Sequence, residues 1–131
     1  MSPEEFNRRT FEYGIRVVRP VQALPKQDAA RELGRQLLRA GTSVGANYRA
    51  AARARSRADF IAKLGVVEEE CDETLSWIEL GFVKEKRVQP LHAEGTEILA
   101  LVVASIKTAR PRPKPLRIRK PATSKTPRSR Q

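Results

Sequence analysis

Residues 36–80 read QLLRAGTSVGANYRAAARARSRADFIAKLGVVEEECDETLSWIEL, and the path of the chain through this stretch decides the fold. Its first half carries Leu37, Leu38, Val44 and Tyr48 at helical spacing, with Leu33 one turn earlier. Gly34, Gly41 and Gly45 interrupt that stripe. Read locally, Gly41-Thr42-Ser43 ends one helix and caps another. Read by spacing, the three glycines lie near one face, and a face without side chains lets a second backbone come close. Each glycine costs about 1 kcal/mol against alanine inside a helix, so three together ask for a packing reason. We take the stretch as one continuous helix over 28–52. Ser56, with Asp59 three residues on, then resembles a capping box. Phe60, Leu64, Val67, Cys71, Leu75 (or Thr74) and Ile78 step by three and four, the seam of a bundle helix over 57–84.

Working outward, Ser2-Pro3-Glu4-Glu5 is a helix start: a serine cap, a first-turn proline and a glutamate that closes the box. Phe11, Ile15, Val18 and Val21 or Gln22 recur as an apolar stripe, with Val17 and Leu24 beside it, giving a helix over 3–23. Pro20 lies inside it and predicts a kink or an early end near Arg19, and Pro25 marks the exit. Asp28 is a candidate cap for the second helix. On the other side, Pro90 suits the first turn of a fourth helix over 90–109, in which Leu91, Glu94, Ile98, Leu101, Val102, Ser105 and Ile106 recur with Leu99 and Val103 flanking, and Lys107 and Arg110 stand at its negative end. From Arg110 the proline alternation excludes helix and sheet, so 110–131 reads as a disordered basic tail. Residues 1–109 are then one domain, an all-α, up-down antiparallel four-helix bundle with helices of matched length.

Composition agrees. Aromatic residues make up 5% of the chain, fewer than a β-sandwich uses. The single cysteine, Cys71, excludes an intrachain disulfide and a cysteine-based zinc cage, and fits a reducing compartment such as the cytoplasm. The amino-terminal MSPEEFNRR has no apolar core and does not read as a secretory signal. The longest apolar run, residues 98–106, is too short for a bilayer, which takes about 20 residues. The net charge is +11, but nine of the 26 Lys and Arg and none of the acids fall in 110–131. A basic tail attracts polyanions, nucleic acid above all; it reads equally well as a solubilising segment.

Arg35 and Arg39 are one turn apart, as are Arg49 and Arg53, and Arg55 and Arg57 extend the series. Guanidinium groups at such spacing can follow a phosphate backbone, joined by Arg112, Lys114, Arg117, Arg119 and Lys120 of the tail. The competing reading is a solvated face, or ion pairs with Glu68, Glu69, Glu70, Asp72 and Glu73 of the third helix. Only Tyr48 among the aromatics interleaves with these arginines, so binding is expected to be sequence-independent and salt-dependent, without a stacking platform. Catalysis finds no support. The one-turn carboxylate pairs Glu68/Asp72 and Glu69/Glu73 lack the Glu-x-x-His partners of a di-metal bundle, since the only histidine, His92, follows Gln89 by three; no metal or cofactor is expected. Cys71 sits on the apolar seam, and no phosphate-cradling loop or dinucleotide fingerprint occurs. Gly41-x-x-x-Gly45 has charged flanks and reads as a soluble helix contact rather than a membrane one. Trp77 is either core or an anchor at a subunit contact.

The block from Arg39 to Asn47, RAGTSVGAN, together with Arg55-Ser56-x-x-Asp59-Phe60, DETLSWIEL and the ending VASIKTAR, resembles a bacterial family of four-helix-bundle proteins first met as reading frames in intervening sequences of large-subunit ribosomal RNA genes. The accessory variability determinant of diversity-generating retroelements is a relative. The resemblance spans about residues 6–109. It implies a continuous second helix and a tapered homopentamer, with Gly41, Ser43, Gly45, Asn47 and Tyr48 at a helix-packing or oligomer interface. In the retroelement relative the pentamer binds a reverse transcriptase and nucleic acid, which implies such partners here. The expectation is a non-enzymatic oligomeric accessory protein that binds nucleic acid; the alternative is a protein-binding scaffold ring with no direct nucleic-acid role.

Overall fold

In a computed structural model the chain is described over residues 1–80 and 88–111. Four α-helices follow one another: α1 (Pro3–Gln22), α2 (Asp28–Ala52), α3 (Arg57–Glu79) and α4 (Val88–Ala109). Each packs most extensively on its neighbours in sequence, and a lighter α1–α4 contact closes the bundle. No described helix is long and apolar enough to cross a membrane. The expected tail from 112 on lies outside the described residues, as do 81–84 of the third expected helix.

The helix starts follow the side-chain chemistry at two of three places. Ser2 Oγ accepts from the Glu5 amide at 3.1 Å, and Glu5 accepts from the Ser2 amide at 2.7 Å. Ser56 Oγ accepts from the Asp59 amide at 3.0 Å, while Asp59 accepts from Lys63 at 2.6 Å and from the Arg55 amide. At α2 the capping residue is Gln27, with no side-chain bond; Asp28 is the first helical residue and acts on the positive helix end instead. Pro20 does not end α1 near Arg19. The helix continues to Gln22, and the proline ring is buried.

α2 runs unbroken through its glycines because α1 lies against them. A Cβ on Gly41 would come within 2.7 Å of Val17, and one on Gly45 within 3.0 Å of the α1 backbone at Phe11 and Thr10. From the other side, a Cβ on Gly14 would meet Thr42 Cα at 3.2 Å. The two rods therefore approach to backbone contact, which only residues without side chains permit. The core gathers Leu37 and Val44 of α2, Leu64, Val67 and Cys71 of α3 and Leu91, Ile98 and Val102 of α4 around Tyr13 and Val17.

This close approach also turns α1 over relative to the expected face. The buried residues are Phe6, Thr10, Tyr13, Gly14, Val17 and Pro20. The stripe expected inside, Phe11, Ile15 and Val18, is 64%, 56% and 37% exposed. At the crossing itself Thr10 and Gly14 go in, because the approach at Gly41 and Gly45 has no room there for a phenylalanine or isoleucine, while Phe6, Tyr13 and Val17 are buried on either side of it.

Candidate nucleic-acid interface

The structure divides the arginines by their neighbours. Arg39 faces α3, where it pairs with Glu70 at 3.2 Å and with Glu73. The Glu73 bond and the two nearby carboxylates raise the guanidinium pKa, and Glu73, which also accepts from the Trp77 indole at 3.0 Å, is held below the usual carboxylate range. Trp77 is thus half-buried and tied to its own helix. Arg35 pairs with Glu32 on its own helix. Arg39 is spent on the α2–α3 contact, as the ion-pair reading of the basic set anticipates.

Arg49, Arg53, Arg55 and Arg57 are all exposed, and among the described residues none of them makes an ion pair. They sit where α2 ends and α3 begins. Arg49 and Arg53 line a shallow cleft of about 320 Å³ with Pro3, Glu4 and Asn7 of α1. In an up-down bundle the last turn of α4 reaches the same end, bringing exposed Lys107 and Arg110 there. The chain leaves α4 at this end toward Arg112, Lys114, Arg117, Arg119 and Lys120, which lie outside the described residues.

The same end holds aromatic side chains that the sequence kept apart. Phe6 of α1 stacks edge-on against Tyr48 of α2, with ring centroids 4.7 Å apart at 87°. Phe60 of α3 joins them on a mostly apolar cleft of about 440 Å³ that opens between the start of α1 and the end of α4. Neither Phe6 nor Phe60 is near the arginines of α2 in sequence in a way that periodicity reveals; only the bundle topology brings α1, α2 and α3 together there.

The small-residue block on α2 is occupied within the chain. Gly41 and Gly45 face α1. Ser43 donates to the Arg39 carbonyl at 2.7 Å, and Asn47 donates to the Ser43 carbonyl at 2.8 Å, so both turn back on their own helix. Tyr48 packs on Phe6. Cys71 is fully buried, and burial pushes its thiol up to about 12, far from a nucleophile's range. Among the described residues no three His, Cys, Asp or Glu side chains gather as a metal-holding group.

The model of the 23S rRNA-intervening sequence protein family matches residues 5–104. Among solved structures, the chain is similar to a protein of unknown function from the S23 ribosomal protein family of Bacteroides thetaiotaomicron. The two are 33% identical, the match covers 82% of this chain and 99% of that one, and the TM-score is 0.73. No curated protein matches.

Proposed function

The chain belongs to the 23S rRNA-intervening sequence protein family, and from there we propose that it is a non-catalytic, self-associating cytoplasmic protein that binds nucleic acid through one basic end of its bundle. The observation that carries the reading is the contrast among the arginines. Arg39 is neutralised by glutamates, whereas Arg49, Arg53, Arg55 and Arg57 stand exposed and without carboxylate partners among the described residues. Unpaired guanidinium groups clustered beside the exit of a nine-cation tail make a strong attractor for phosphates.

Self-association is supported by α1, whose Phe11, Ile15 and Val18 face solvent in the single chain. With the α2 glycines filled from within, this stripe offers a surface for a second copy, and the resemblance gives the number as five. A ring would pool the basic ends and make weak phosphate contacts avid. The test is a salt titration of full-length protein against labelled RNA. Log affinity should fall linearly with log salt at a slope of about 0.7 per phosphate contact on a single strand. A flat line overturns the reading and leaves the protein-binding scaffold.

A further inference from the structure

We propose that the apolar cleft at the basic end seats an unpaired base, so that the preferred ligand is single-stranded nucleic acid, the base in this cleft and its phosphate on Arg49 and Arg53. The inference rests on the nucleic-acid reading above and narrows it. The cleft, about 440 Å³, falls within the size of small-molecule sites, roughly 300–1,000 Å³. Its lining sets the half-buried ring of Phe60 beside the buried Phe6–Tyr48 pair, with the hydroxyls of Thr108 and of Ser105, which donates to the Leu101 carbonyl and can still accept, on α4. Rings offer a face or edge to any base, and hydroxyls can meet the hydrogen-bonding groups on its rim.

The arginine cleft adjoins it. Pro3 lines both, and Tyr48 in the first is near enough to Glu4 in the second for that carboxylate to act on its hydroxyl. An apolar, aromatic hollow beside two unpaired guanidinium groups is the complement of a nucleotide: a flat ring system joined to an anion. Base-paired duplex would present only the anion, because its bases are stacked inside. A free phosphate or a plain polyanion would use the arginines and leave the hollow empty. Glu4 is the one opposing charge lining the arginine cleft.

The experiment measures binding of full-length protein to a labelled single-stranded RNA, to an abasic strand of equal length and charge, and to the duplex, at one salt concentration. The tail carries no aromatic residue, so a preference for bases points to the bundle. One stacked base should make the base-bearing strand bind about tenfold tighter than the abasic one. Ala104→Phe, which fills the cleft from an exposed position on α4, should remove that preference and leave the abasic affinity unchanged. Phe60→Ala should do the same by removing a ring, and circular dichroism checks that each variant keeps its helices. Equal binding of base-bearing and abasic strands would overturn the inference while the nucleic-acid reading stands. A preference that survives in folded forms of both variants would also overturn it. Binding of none of the three would overturn both.

Discussion

Gly45 and Gly65 are chemically identical and lie in adjacent helices, yet the bundle gives them opposite roles. A methyl group on Gly45 would press within about 3 Å of backbone atoms of α1, which cannot yield as a side-chain tip can, whereas one on Gly65 meets nothing within 4 Å. Gly65→Ala should therefore stabilise the protein by up to about 1 kcal/mol through helix propensity and a stiffer unfolded chain. Gly45→Ala should destabilise it by about 1–3 kcal/mol through overpacking. Urea midpoints of the two variants check both signs. Tyr13 makes a second residue-scale prediction. Its hydroxyl is buried with no hydrogen-bond partner among the described residues, and burial raises its pKa. Removing such a group while keeping the ring is favourable, so Tyr13→Phe should raise stability by about 1 kcal/mol in the same assay. Glu94 makes the third. The Arg9 guanidinium, bonded to it at 2.7 and 2.8 Å, holds its carboxyl below the ordinary 4.5. The folded state binds that proton more weakly than the unfolded one, so the pair stabilises the fold above the carboxylate range and is lost as pH falls through the lowered value. Glu94→Gln should cost stability at pH 7 and flatten the acid side of the stability profile.

Helices α2 and α3 show how far periodicity reaches, and α1 shows where it stops. Leu37, Val44, Leu64, Val67, Cys71 and Ile78 are all buried, as their three-and-four spacing requires. α1 carries two stripes. Hydrophobicity favours Phe11, Ile15 and Val18, but the helix lies against the α2 glycines, and a backbone crossing selects small residues over large ones. Thr10 and Gly14 go in, and neither announces itself as core. The signal was present in the pattern of glycines on both partners, Gly14 on one and Gly41 and Gly45 on the other. The apolar stripe thus left outside predicts an interface at the scale of the element. Ile15→Glu, at a position 56% exposed in the single chain, should leave helicity intact and lower the mass measured by light scattering. An unchanged assembled mass would remove α1 from the subunit contact. The candidate site was legible only in part for a related reason. One-turn arginine pairs can be read from sequence, but which are neutralised depends on which helix each side faces, and Phe6 and Phe60 reach Tyr48 only through the topology.

At the scale of the molecule the bundle pairs some of its charges and leaves others exposed. Ion pairs lock the sides, Arg9 to α4 and Arg39 to α3, while one end keeps arginines that are unpaired among the described residues, where α2 gives way to α3. Ion pairs of the first kind are part of the scaffold, and groups of the second kind have no carboxylate partner among the described residues. That contrast is what the account stands on, and the most direct measurement of it is the salt-dependent affinity of full-length Arg49→Glu/Arg53→Glu for labelled single-stranded RNA. With two phosphate contacts removed and two repulsions added, affinity should fall at least about tenfold near 0.1 M salt, and the log–log slope should become shallower by about 1.4. A double variant with unchanged helicity and mass that binds as tightly as the parent, with the same slope, would contradict the account.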